Sequence, residues 1–273
     1  MVGFVCSLAS GSLGNALVVA SGKTRVLVDF GISGRRLKKN MAAAGLAPQD
    51  LSAVLVTHTH RDHFSASAVA FCLAHGTPVY STRDNLEYLA EDLEEFPRLV
   101  EAGQTHEING CEVELGNITV EAFDVPHDSP GQCLGFRLSM GGPRRRRAVT
   151  VATDLGHLPA DRIPVFLDAD AVVLESNHDV EMLWESGRPP ELIERILGPE
   201  GHLSNESAAE ALAEIVGRSH PGRVKNVVLA HLSRDCNTPR LALAAQAHLS
   251  KNHSHPIQLT AATQHDVGPV IQL

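Results

Sequence analysis

The sequence predicts an α/β fold, an αββα sandwich with two sheets face to face and helices outside. Three features predict it. Short β-branched or Leu-rich runs alternate with amphipathic helical stretches in both flanking parts of the chain. The middle, from HEING to VPH, alternates apolar and polar residues as paired strands do. Each apolar run closes in a polar cluster, which places functional groups at strand ends.

In chain order, FVCSLAS, ALVVAS and TRVLVDFG are opening strands joined by Gly-containing turns. RRLKKNMAAAG is the first helix, closed by Gly45. SAVLVT is a buried strand, SASAVAFCLAHG a helix, PVYST a strand, and NLEYLAEDLEEF a helix with an acidic outer face. HEINGCEVELGNITVEAFDVPH supplies strands with Asn-Gly and Gly-Asn turns. GFRLSMGGPRRRRAVTVATD reads as a hairpin and DAVVLES as a buried strand. NESAAEALAEIVGRSH is helical, KNVVLAH a strand, TPRLALAAQAHL a helix, and PIQLTAA and GPVIQL are closing strands.

No Pro-, Gly- or Ser-rich linker interrupts the 273 residues, so one domain over residues 1–273 is expected. A formal charge of -9 argues against a broadly basic nucleic-acid surface, while leaving room for a local basic strip or for metal ions that supply positive charge. The five cysteines are scattered without a C-x-x-C pair and read as reduced thiols of a cytoplasmic protein. The N-terminus lacks the basic region of a signal peptide, and no apolar run reaches membrane-span length.

The 15 histidines matter through their placement. His58-Thr59-His60-Arg61-Asp62-His63 follows a buried strand and precedes a helix, and puts four potential ligands in six residues. In extended backbone His58 and His60 point the same way and suit one metal, while Asp62 and His63 turn with the chain toward a second. His127 follows VEAFDV, Asp154 follows AVTVAT, and His231 follows NVVLA. Alone, each would be a hydrogen-bonding residue at a strand end; with the hexapeptide they form a ligand set. Imidazole and carboxylate suit two divalent ions, zinc or manganese. Such a pair lowers the pKa of bound water from 15.7 to about 7 and favours an anionic substrate.

H-x-H-x-D-H followed by His, Asp and His in this order resembles the metallo-β-lactamase superfamily. The resemblance implies that His58, His60 and His127 hold a first metal, Asp62, His63 and His231 a second, and that Asp154 bridges them. Asp29, at the end of VLVDFG, matches the superfamily's early Asp, a support of the metal loop. His60 stands where the redox branch would have Glu, which disfavours redox chemistry.

Two further residues point to phosphodiesters. His202, in GHLSNES, precedes a helix N-terminus, a place for anions and for a proton donor. Glu175, in LESNHD, ends a buried strand and is available to orient it. The pair is similar to the proton relay of the ribonuclease Z branch. SLASGSLGN, VDFGISGRRL, VTHTHRDH, VATDLGH, VLESNHDVEML, GHLSNESAAEAL and AHLSRDCNTP together resemble the bacterial YycJ/WalJ/VicX family. This implies a 5′→3′ DNA exonuclease linked to DNA repair, with Asp62 holding the attacking water, His202 donating a proton and Glu175 orienting His202. DNA is favoured over RNA, with DNA-repair proteins as partners.

Other readings remain open at this point: a ribonuclease Z-like RNase, a hydrolase of small cyclic phosphodiesters or thioesters, or a metal-stabilised regulatory partner of a signalling system. Arg144–Arg147 is either a phosphate grip or a solvated hairpin tip. Ser10–Asn15 is either a phosphate contact or a tight turn. Asn177 and His178 either reach the cleft or serve structure. No aromatic platform for base stacking is evident, so backbone binding is expected over base readout.

Overall fold

A computed structural model of the chain describes residues 3–110, 112–142, 146–247, 249 and 255–273. Strands β1 (Phe4–Ala9), β2 (Ala16–Ser21), β3 (Thr24–Val28), β4 (Ala53–Leu55), β5 (Val79–Ser81) and β6 (Thr105–Glu107) come first. Strands β7 (Val113–Leu115), β8 (Ile118–Asp124), β9 (Leu134–Met140), β10 (Arg147–Ala152), β11 (Ala171–Glu175), β12 (Asn226–Ala230), β13 (Gln258–Ala261) and β14 (Ile271–Gln272) follow. Among the described residues they form two seven-stranded sheets, β14-β1-β2-β3-β4-β5-β6 and β13-β12-β11-β10-β9-β8-β7.

Period-two alternation builds the layers. On β3, Val26 and Val28 face the other sheet while Leu27 faces outward to the helices; on β11, Ala171 and Val173 face inward while Val172 and Leu174 face outward. Both faces of these strands are covered, which is why their sequences read as unbroken apolar runs. Phe136 lies fully buried between the sheets. Its truncation to Ala should lower the unfolding free energy by about 3–5 kcal/mol in denaturant titration.

Helices α1 (Gly34–Ala43), α2 (Ala66–His75), α3 (Arg83–Asp92) and α4 (Pro97–Glu101) cover the first sheet through residues such as Leu37, Met41, Val69, Leu89 and Leu99. Helices α5 (Ile163–Phe166), α6 (Val180–Trp184), α7 (Pro190–Leu197), α8 (Asn205–Arg218) and α9 (Pro239–Ala245) follow. Of these, α5, α8 and α9 cover the second sheet. Side-chain caps set several starts: Ser33 for α1, Thr82 for α3, Asp179 for α6, Ser204 for α8 and Thr238 for α9.

The αββα sandwich is the architecture the sequence predicts. Two local expectations are corrected. The acidic helix begins at Arg83 and stops at Asp92, and a separate short helix follows from Pro97. Asn109-Gly110 is no hairpin turn, because β6 and β7 belong to different sheets and the chain there crosses the sandwich. Gly116-Asn117 does turn the β7–β8 hairpin.

In each sheet three antiparallel joins are followed by three parallel ones. Strands β3 and β4 in one sheet, and β8, β10, β11 and β12 in the other, therefore run in a common direction within their sheet. Their C-terminal ends deliver the residues described next, as open parallel sheets commonly do.

Candidate metal centre

Strand β4 ends at Leu55, and the chain then carries Thr57 and the hexapeptide His58–His63 into a loop before α2. A buried scaffold fixes this loop. Asp29, just past β3, accepts hydrogen bonds from Thr57 N at 2.9 Å and Thr57 Oγ1 at 3.0 Å, and its Oδ2 lies 2.8 Å from His63 Nδ1. A proton on His63 Nδ1 is thereby committed to Asp29, and Nε2 faces the centre. The position of Asp29 is therefore that of a support behind the ligands. Thr57 Oγ1 also sits 3.0 Å from His58 Nδ1.

Three clusters of ligand atoms meet. His58, His60 and His127 form one; Asp62, His63 and His231 form another; His58, His63 and Asp154 join them; in each, the ligand atoms lie within 4.8 Å of one another. His58 Nε2 and His60 Nδ1 are 3.0 Å apart. His127 Nδ1 lies 3.1 Å from Gly201 O, so its Nε2 is the atom turned inward, 3.9 Å from Asp154 Oδ1. Asp154 Oδ2 is 3.2 Å from His63 Nε2, and Asp62 Oδ2 is 3.5 Å from both His63 Nε2 and His231 Nε2. All seven residues named from the sequence thus converge.

The donor set fits divalent cations. Asp154 Oδ2 and His231 Nε2 are buried without a hydrogen-bond partner, a costly state that a bound cation would remove. Burial, reinforced by neighbouring imidazoles, holds His58 well below the ordinary histidine pKa; burial also lowers His60 and His127. Those three are neutral, the form in which imidazole binds metal. Burial opposes ionisation of Asp62 and Asp154, but adjacent His63 and His231 outweigh it and hold both carboxyls low. The same charges act in reverse. Burial alone would lower His63 and His231, yet Asp154 and its neighbours raise both, His231 to about 10.

Glu175, at the end of β11 and fully buried, joins the centre to a second group. Its Oε1 is 2.8 Å from His231 Nδ1 and 2.9 Å from His202 Nδ1; its Oε2 accepts from Leu155 N and Leu203 N, both at 3.1 Å. Burial works against its charge, but His202 and His231 outweigh it and bring the carboxyl down to about 2. His202 side chain is 23% exposed, so its Nε2 is the atom left for a ligand in the cleft.

Two segments that the sequence left between a cleft role and a structural one lie beside the ligands. Asn15 Nδ2 lies 3.0 Å from His63 Nε2, and its backbone N donates to Asp62 O at 2.8 Å. Ser10 Oγ accepts from His231 N at 2.8 Å. Ser10–Asn15 is thus a brace under both ligand loops, which is the tight-turn reading. Asn177 Nδ2 donates to His231 O at 2.9 Å and is also structural. His178 is buried with neither ring nitrogen bonded, and burial pushes it down to about 4. Of the Arg144–Arg147 run, which the sequence leaves between a phosphate grip and a hairpin tip, the two described members pair with acids of this chain. Arg147 begins β10, about 20 Å of strand before Asp154, and pairs with Asp170 at 2.5 Å; Arg146 faces Glu112 at 3.9 Å. Arg144 and Arg145 lie outside the described residues.

The profile of the beta-lactamase superfamily domain matches residues 24–231, from β3 through His231, and the chain belongs to that superfamily. Within it the chain falls in the WalJ/YycJ family. It is 32% identical over 248 residues to the exodeoxyribonuclease WalJ of Streptococcus pneumoniae, covering 88% of this chain and 86% of that protein. It is 34% identical over 238 residues to the exodeoxyribonuclease YycJ of Bacillus anthracis, covering 86% and 84%. The metallo-β-lactamase-fold protein YhfI of Bacillus subtilis superposes over 100% of both chains with a TM-score of 0.70 at 17% identity. No helix among the described residues is long and apolar enough to cross a membrane.

Proposed function

We propose that this chain is a metal-dependent phosphodiesterase that degrades DNA as a 5′→3′ exonuclease. The observation that carries the reading is the pair formed by Glu175 and His202 beside a complete ligand set. Their Oε1–Nδ1 separation is 2.9 Å, and His202 is the member of the pair that reaches solvent.

In this reading His58, His60 and His127 hold one divalent ion, Asp62, His63 and His231 a second, and Asp154 serves both; zinc and manganese suit these donors. When bound, such ions supply a nucleophile at neutral pH and neutralise charge on the phosphoryl oxygens. Asp62, the most exposed of these carboxylates at 25%, holds and orients the attacking water. His202 donates from Nε2 to the leaving oxygen. Glu175 holds Nδ1 of His202 and so fixes which nitrogen carries the transferable proton. Its charge also keeps that imidazole protonated.

DNA as the substrate is supported by the names of the WalJ and YycJ relatives, and the direction by the family resemblance. The same resemblance supports a place among DNA-repair proteins. Buried free thiols at Cys6, Cys72, Cys133 and Cys236 suit a cytoplasmic protein. The test uses metal-loaded protein with DNA and RNA labelled separately at each end, in Mn²⁺ and in Zn²⁺. Mononucleotides released from the 5′ end of DNA are expected. Absence of cleavage of either polymer would defeat the proposal, and faster turnover of a small cyclic phosphodiester or thioester would reassign the substrate.

A further inference from the structure

The chain carries an excess of acid, yet its first helix is wholly basic in charge. Arg35, Arg36, Lys38 and Lys39 lie on α1, and no Asp or Glu occurs between Asp29 and Asp50. Among the described residues none of these four cations makes an ion pair. Exposed arginines elsewhere commonly do, as in Arg61–Asp92, Arg195–Asp128 and Arg218–Glu214. Lys38 Nζ rests 5.6 Å over the Phe71 ring, and Arg36 Nη2 is buried without a partner. Arg35, Lys38 and Lys39 are exposed. Residues 35, 38 and 39 are three and four apart, so they share one face of the helix.

The position of α1 gives this charge a use. Residues 29–31 run beside 62–64: Phe30 N donates to His63 O at 2.7 Å, and Phe30 bridges Phe64. A Cβ on Gly31 would fall 1.6 Å from Asp62 O, so the two backbones touch. Ser33, two residues on, caps α1, and Gly34 N donates to Ser67 Oγ at 2.7 Å. The basic helix therefore starts at the rim of the loop that carries Asp62. It leads away from the centre for about 15 Å, its ten residues at 1.5 Å each.

We propose that the exposed cationic face of α1 is the track along which the phosphate backbone of a DNA strand runs to or from the metal centre. This rests on the nucleic-acid reading above and adds the surface that holds the polymer. Unpaired Arg and Lys on one helical face suit a sequence-independent polyanion, and their charge is not cancelled by neighbours. In a molecule of net charge -9, the same sign as DNA, such a strip also favours one approach.

The experiment compares two double variants with equal change in net charge. R35E/K39E alters the track; K23E/R240E alters two exposed cations elsewhere. Binding of metal-loaded protein to a nuclease-resistant phosphorothioate single strand is followed by fluorescence anisotropy across a salt series, with circular dichroism to check folding. For R35E/K39E we expect at least about tenfold weaker binding and a salt slope reduced by about 1.4, from two phosphate contacts at about 0.7 each. K23E/R240E should match the parent. On cleavable DNA, KM should rise in R35E/K39E while kcat holds. Should R35E/K39E misfold, R35Q/K39Q serves, with the slope reduced by the same amount.

Parent-like binding by the folded track variant overturns the proposal. So do equal losses in both double variants, which would mean bulk charge alone, and binding of phosphatidylserine vesicles in place of DNA. If DNA is held on α1 but never cut, the track stands and the exonuclease reading falls.

Discussion

Asp29-Phe30-Gly31 and Asp154-Leu155-Gly156 occupy matching places in the two sheets. Each follows the strand at which antiparallel joins give way to parallel ones, β3 in one sheet and β10 in the other. Each Asp has left-handed backbone, with φ of 61° and 58°. Each Gly lies where a Cβ would strike the backbone of a site loop, Asp62 O at 1.6 Å and Pro199 C at 2.3 Å. Yet the carboxylates do different work. Asp29 turns to Thr57 and His63 and braces a loop, whereas Asp154 keeps Oδ2 free of hydrogen bonds and faces the ligand cluster. The local geometry is shared, and the partners alone decide whether the acid braces a loop or faces the ligand cluster. His231 has φ 54°, so a third site position is left-handed. Asp, Asn and His are the non-glycine residues that best tolerate such backbone.

The comparison breaks most visibly at Asp154. Asp154→Ala should remove turnover and bound metal together, read by elemental analysis alongside the DNA assay. Retention of full metal would deny it a ligand role. Next in size is His202→Ala, expected to cut kcat by about 10²–10⁴-fold with metal content unchanged. Metal loss in that variant would make His202 a ligand instead of a proton donor.

Asp29→Asn should act more mildly, weakening metal affinity by about 10–100-fold, with turnover recovered in excess metal. A variant that no metal concentration rescues would erase the distinction between the two acids.

The smallest effect concerns pH. Burial would lower His202, but the charge of Glu175 and its hydrogen bond raise it. A proton donor with a raised pKa is active below that value, and turnover declines as pH rises through it. Glu175→Gln removes the raising charge, so the alkaline limb should move to lower pH. A limb that stays put in a kcat profile would assign it to another group.

Much of the centre is legible in the sequence because its ligands stand at strand ends. His58–His63 is contiguous, and His127, Asp154 and His231 each follow an apolar run that reads as a strand. Glu175 is visible for the same reason. Ser10–Asn15 stands out as a segment, but its contacts with Asp62, His63 and His231 depend on how distant segments meet. Helices α4, α5, α6 and α7 also escape detection. None exceeds eight residues, too few for helical periodicity to register, and three have Pro in the first turn. The charge of α1 is written in the sequence, but its value depends on the rim that Gly31 brings it to.

The β9–β10 hairpin has a practical consequence. Because β10 runs from Arg147 toward Asp154 and Arg147 pairs with Met140, the end of β9 and the start of β10 lie at the pole opposite the centre, a strand's length away. That pole offers a handle: a tether or dye attached there would orient every molecule with its cleft toward solution.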